Sequence, residues 1–321
     1  MSAALLDVGI DIGGTKTHLR AYEARGHSRD LIVPTAEWRT RDWNRDALGV
    51  LALARRLAGG AEIAALAIGA HGCDDASECL AFEAALAAHA AFPVKVVNDA
   101  ELLPAALELE GEIGLVAGTG SIAVCRDPAL GMMVAGGWGW VIGDEGSAAG
   151  LVREAARAVT LHLDAGGPAR EPLVRQLLAA LDITNAARIG SAIAALGSSA
   201  ALGRLAPVVF EAERAGSLLA RQVIHDGARH LVELVAQLKK RGSQATAVVA
   251  GGGVIAGEPT LAEAFLAAFA VRFDGVMRAE IYGGPPVEGA CRLAAGLGGR
   301  RRPSPRGTRP NSVATPTKAS S

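Results

Sequence analysis

Two segments of this chain carry the same pattern about one hundred residues apart. Residues 7–22, DVGIDIGGTKTHLRAY, and residues 114–127, GLVAGTGSIAVCRD, each read as a strand, a glycine turn bearing Thr or Ser, and a second strand. A repeat at that distance implies a duplicated domain rather than a stacked array. Two like domains facing each other create a cleft, and each glycine turn lines one wall. The length of 321 residues suits such a pair. Further strand patterns occur at AALAIGA (64–70), VKVVNDA (94–100), MMVAGGWGW (132–140) and ATAVVAGGGVIA (245–256), with helical patterns over 46–60, 146–163, 172–181 and 218–241. Strands alternating with helices predict an α/β protein.

Composition narrows the classes of function. Aromatic residues make up only 4%, so Ala, Leu and Val must build the core. Net charge is −1, yet residues 300–321 hold six Lys/Arg and no acid, which leaves the rest of the chain acidic. An acidic body gives no support for nucleic-acid binding. The Pro-, Ser- and Thr-rich tail reads as a disordered, solvated extension. Cys73, Cys79, Cys125 and Cys291 show no CxxC or metal-ligand spacing and read as reduced thiols of a cytoplasmic protein. No apolar run reaches the ~18 residues of a membrane span, and the N-terminus lacks a signal-peptide pattern.

The chemistry-bearing residues lie in five segments. In the first turn, Gly13 and Gly14 let amides approach an anion, Thr15, Lys16 and Thr17 add donors, and Asp11 sits where a carboxylate can hold a hydrated Mg²⁺. Alone, this turn reads equally as a plain hairpin. The second, Gly118, Thr119 and Gly120, offers the same chemistry from the other half, and the pair fits one polyphosphate. Between them, VKVVNDAEL places Asp99 at the C-terminal end of a strand, the edge at which open α/β sheets bind ligands. Its carboxylate is either a general base for a hydroxyl nucleophile or a helix cap. GGWGWVIGDEGSAAG (136–150) sets Trp138 among glycines, where it offers an apolar face to a sugar ring, with Asp144 nearby for hydroxyls. Glu145 has the structural role of a charge before a helix. VVAGGGVIAGEP supplies Gly251, Gly252 and Gly253, against which a flat base can lie; in YGGPPVEGACRLA, Gly289 and Ala290 permit close helix packing. His18, His71 and His162 have no sequence partner and read as surface or core residues.

These five segments, in this order, resemble the acetate kinase–hexokinase–actin superfamily, and more nearly the BadF/BadG/BcrA/BcrD ATPase family with its N-acetylglucosamine and bacterial glucosamine kinases. The resemblance covers residues 6 to 299, and GGWGWVIGDEGS is its most specific part. It implies two facing ribonuclease-H-like domains that close on ATP. By the same resemblance, Thr15 and Thr119 meet ATP phosphates, Gly252 and Gly253 border adenosine, and Asp99 is the general base. Gly137, Trp138, Gly139 and Asp144 bind the sugar. The family's sugar loop carries an asparagine among small polar residues; here EWRTRDWNRDA places Arg41 and Asp42 there, with Asn44 later, and such charged residues suit a different substituent on C2 or C3.

The expected protein is therefore an ATP- and Mg²⁺-dependent kinase of the 6-hydroxyl of N-acetylglucosamine. Glucosamine or N-acetylmuramic acid are the alternative acceptors, and an ATPase that activates a reductase or dehydratase is the further one. The expected domains are 1–110 and 111–299, followed by the tail 300–321, in a chain that could form a homodimer. Hinges are expected near 100–112 and 285–295.

Overall fold

A computed structural model of the chain describes residues 5–22 and 27–299; the basic tail lies outside the described residues. The first half builds a five-stranded sheet from β1 (Leu5–Ile12), β2 (Lys16–Tyr22), β3 (Ser28–Pro34), β4 (Glu62–Ala70) and β5 (Val94–Asn98) in the order β3-β2-β1-β4-β5. The second half repeats the design with β6 (Ile113–Ala117), β7 (Ser121–Asp127), β8 (Gly131–Gly136), β9 (Ala247–Gly251) and β10 (Arg278–Tyr282), ordered β10-β9-β6-β7-β8. Each sheet joins an antiparallel three-stranded meander to parallel strands, so the two share one topology read in sequence order. The duplication inferred from the two glycine turns is thus present in the strand order itself.

Helices cover the sheets where the sequence is apolar at helical spacing. In the first half these are α1 (Trp43–Ala58), α2 (Ala76–Ala87) and α3 (Leu102–Ala106). The second half inserts a helical array between β8 and β9: α4 (Ala148–Asp164), α5 (Pro172–Ala180), α6 (Ile189–Leu196), α7 (Ser199–Gly203), α8 (Ala206–Arg214) and α9 (Leu218–Lys240). After β9 come α10 (Gly253–Gly257), α11 (Pro259–Phe273) and finally α12 (Val287–Leu297). Each half has its own core. Leu6, Ile10, Leu51, Leu66 and Phe82 are among the buried residues of the first, and Leu115, Val152, Phe210, Leu231 and Phe265 among those of the second.

The last helix returns to the first sheet. Gly9 of β1 lies so close to it that an added Cβ would sit 2.4 Å from the Cys291 amide nitrogen. Gly289 meets α3 in the same way, with a Cβ 2.0 Å from the Leu102 carbonyl oxygen, so this crossing requires a residue without a side chain. A second bridge runs through the turn after β5. The Ala100 carbonyl rests on Gly114 of β6, and Arg126 of β7 donates two hydrogen bonds of 2.9 Å to Glu101.

Candidate active site

Parallel pairing brings three chain segments to one edge. Ile12 of β1 pairs with Ala70 of β4, and Ala70 with Asn98 of β5. The residues that follow, Gly13, His71 and Asp99, therefore emerge side by side at the C-terminal ends of three neighbouring strands. The second sheet repeats this: Val116 pairs with Gly251, so the turn beginning at Gly118 stands beside Gly252 and Gly253.

The first glycine turn is a closed hairpin tip. Gly13 N–H donates to the Lys16 carbonyl at 3.0 Å, and Gly14, Thr15 and Lys16 are exposed. Thr17, grouped with the phosphate donors in sequence, is fully buried; its hydroxyl bonds Thr35 at 3.0 Å and accepts from the Trp38 indole at 3.1 Å. It braces the turn from inside rather than offering a donor to a ligand. Asp11 lies beneath. Burial, then the charge of Asp99, pushes its carboxyl up to about 7, and Lys16 opposes the rise.

The turn that follows β5 is capped by Asn98. The Asn98 side chain is buried and caps the single helical turn Asp99–Glu101 through the Ala100 amide at 2.9 Å, with Glu101 closing a capping box. It also donates to the Cys73 carbonyl at 3.0 Å and to Asp74 at 3.1 Å. The helix-starting role thus falls to Asn98. The Asp99 carboxyl is raised above its ordinary range by burial, opposed by His71, whose Nδ1 stands 3.9 Å away, and reinforced by Asp74. His71, read from sequence as a surface or core residue, is half-exposed between Asp99 and Gly14, where a Cβ would lie 3.6 Å from its ring.

The wall from the second half is formed by the turn Gly118–Gly120, the glycine run and the tryptophan loop. Gly252 has φ +108, and a Cβ there would be 2.6 Å from the Ala117 carbonyl, so glycine is required for the two turns to touch. Gly253, by contrast, has open space around it. Asp144 takes a left-handed backbone (φ +60) and is buried. Its carboxyl is raised by burial and held back by the Ser121 and Gly139 amides, so it joins the second turn to the tryptophan loop. Arg153 of α4 fastens that loop by donating to the carbonyls of Trp140 and Gly143. Gly137 and Trp138 stand at the surface, with Trp138 76% exposed.

Asp42, expected at the sugar, is exposed and has a structural role as well. It is the N-cap of α1, accepting from the Arg45 amide at 2.9 Å, which uses its carboxylate to start a helix. The sequence reading passed over Arg39, whose side chain is only 4% exposed. Its placement depends on Asp46, itself buried, which ties the loop by accepting from the Thr40 amide and hydroxyl and from the Arg41 amide.

The described residues include no group of three or more His, Cys, Asp or Glu able to hold a metal. What they offer is Asp11, a half-buried carboxyl on which the charge of Asp99 acts. Such a site suits Mg²⁺, which keeps several waters and shares the rest of its shell with nucleotide phosphates.

Two like sheets, each with a glycine turn beyond its parallel strands, give the chain a duplicated α/β fold. A profile of the BadF/BadG/BcrA/BcrD ATPase family matches residues 8–269, and the chain belongs to that family. It is 25% identical over 265 residues to an N-acetylmuramic acid/N-acetylglucosamine kinase of Clostridium acetobutylicum, covering 77% of this chain and 85% of that one. Among solved structures, an N-acetylglucosamine kinase of Chromobacterium violaceum, so described provisionally, superposes with a TM-score of 0.65 at 22% identity over 91% of this chain and 99% of its own. A Streptomyces griseus glucokinase of the ROK family, solved with glucose and an ATP analogue, gives 0.54 at 20% identity over 91% and 99%. These superpositions establish a fold shared with sugar kinases.

Proposed function

We propose that the protein is an ATP-dependent sugar kinase that phosphorylates the 6-hydroxyl of an amino sugar of the N-acetylglucosamine type. The observation that carries this reading is the position of Asp99. Its carboxylate stands at the same strand edge as the first glycine turn, after the Asn98 cap and next to His71. In the reaction, Asp99 accepts the proton of the acceptor hydroxyl as its oxygen forms a bond to the γ-phosphorus. The bond to the β,γ-bridging oxygen breaks, and ADP leaves with that electron pair. Gly14, Thr15 and Lys16 on one side and Thr119 and Gly120 on the other hold the phosphates, while Gly252 and Gly253 border the base. Asp11 is the residue that would hold Mg²⁺ through water, and the ion supplies charge neutralisation along the phosphates. Trp138, Gly137, Gly139 and Asp144 face the sugar when the lobes close.

The relative from Clostridium acetobutylicum supports an amino-sugar acceptor, as does the GGWG–GDEGS segment. The test is a coupled assay of ADP release with ATP, Mg²⁺ and a panel of hexoses and amino sugars. Release that depends on an amino sugar is expected. Absence of sugar-dependent release across the panel would refute the kinase reading.

A further inference from the structure

The tryptophan loop, residues 137–147 between β8 and α4, is not held by burying its own apolar side chains. Trp140 packs against the core, but Trp138, Val141 and Ile142 are 76%, 68% and 76% exposed. A tip so exposed gains little from packing, so polar bonds must set its shape. Within the loop, the Gly143 and Ile142 amides donate to the Gly139 carbonyl at 2.8 and 3.3 Å. The remaining fastening comes from one side chain of α4.

Arg153 is largely buried, and each of its nitrogens has a different task. Nη1 donates to the carbonyls of Trp140 and Gly143 at 2.5 and 2.6 Å, Nε donates to Glu154 at 2.9 Å, and Nη2 lies 3.6 Å from Glu145. Gly143 and Glu145 flank Asp144, so Arg153 grips the chain on both sides of that residue. A left-handed non-glycine backbone, as at Asp144 (φ +60), persists when its surroundings fix it. The Asp144 carboxylate also lies against the second glycine turn: a Cβ on Gly120 would stand 2.9 Å from its Oδ2. The base from which Arg153 reaches is itself fixed. The first amide of α4, Ala148, donates to the Gly118 carbonyl at 2.8 Å, and Ser147 caps the helix at the Gly150 amide at 3.1 Å.

We propose that Arg153 is a positioning residue of the acceptor site, bridging the tryptophan loop to α4 so that Trp138 and Asp144 are held where the sugar meets them. This rests on the kinase reading and adds to it a residue that does not itself touch substrate. The task suits a guanidinium, whose donors are spread over a rigid plane. A lysine ammonium gathers its donors at one point and cannot serve the two carbonyls and Glu154 together. A residue that merely offset the charges of Glu145 and Glu154 would be replaceable by lysine.

The test is steady-state kinetics of Arg153→Ala, Arg153→Lys and Glu154→Gln, with ATP and the amino sugar most active in the panel. Both arginine variants are expected to raise the KM of the sugar ~10–100-fold, the scale of a site loosened by about 1 Å. The KM of ATP should not move, because the second turn keeps its bond to Ala148. Glu154→Gln, which leaves the carbonyl contacts in place, should match the wild type. The lysine variant keeps the test valid if the alanine variant impairs folding. A lysine variant with the wild-type KM for sugar would overturn the proposal, as would variants that raise the KM of ATP equally. If no sugar is phosphorylated, the kinase reading fails separately, and the Arg153 bridge is judged by amide hydrogen exchange. In Arg153→Lys, the Ile142 and Gly143 amides should then exchange at least ~10-fold faster, the scale of a lost charge-assisted bond, while those of α9 keep the wild-type rate. Unchanged exchange in the loop would end the proposal.

Discussion

Asp99 and Asp11 share one electrostatic environment but have separable tasks, and substitution can tell them apart. Asp99→Asn keeps the size of the side chain and its position after the Asn98 cap while removing the proposed base. The expected loss is ~10²–10⁴-fold in kcat with little change in the sugar's KM, measured by steady-state assay. Asp11 predicts a pH effect on the ligand-free protein. Its folded carboxyl titrates about 7 against an ordinary 3.8, so between those values the folded state holds a proton that the unfolded chain has released. Stability from this group is greatest below 3.8 and falls as pH rises toward 7. Thermal melts across that range should show this slope, and Asp11→Asn should flatten it. Added Mg²⁺ should flatten it too, since a cation favours the ionised carboxylate. Asp99 could be recognised from its place after an apolar strand, a local signal. The structural roles of Thr17, buried in β2, and Asp42, the cap of α1, each have a local cause. Alternation along β2 turns the Thr17 side chain inward, and an Asp just before an amphipathic run is a helix start.

Strands with strong apolar runs were readable, and the two that were not are edge strands. β3 (SRDLIVP) and β10 (RAEIY) each pair with one neighbour, β3 mostly exposed and β10 half-buried, and both carry charges that blur alternation. The helices α4, α5 and α9 lie within two residues of the stretches their periodicity marked. The close packing anticipated for Gly289 and Ala290 is present, but its partner could not be named from sequence: α12 crosses back to β1 and α3. A pair of substitutions on this one helix measures that crossing. Gly289→Ala should destabilise by ~1–3 kcal/mol in denaturant melts, because the new methyl meets backbone at α3. Gly296→Ala, with nothing within 4 Å, should be neutral or slightly stabilising, since it changes only chain flexibility. Equal effects from both would remove the argument from packing.

Contacts between the two halves include the segments proposed as hinges. Residues 100–112 contain Glu101, bonded to Arg126 across the sheets, and α3, on which α12 rests. We expect the lobes to rotate about this junction and close over nucleotide and sugar together, excluding water that would otherwise hydrolyse ATP. Small-angle scattering should show a smaller radius of gyration with an ATP analogue plus sugar than with either alone. An unchanged radius at saturating ligand would argue for a rigid cleft. Local patterns were enough to reveal the duplicated strand–turn–strand units, the α/β class and a carboxylate at a strand end, because strand alternation, helical spacing and turn chemistry act over a few neighbouring residues. They could not show that Arg41 lies over Gly72, that Asn98 caps the turn after β5, or that the final helix belongs against the first sheet. Those facts depend on strand order and on burial, which bring distant segments to one edge and remove the water that would have left each charge indifferent to the others.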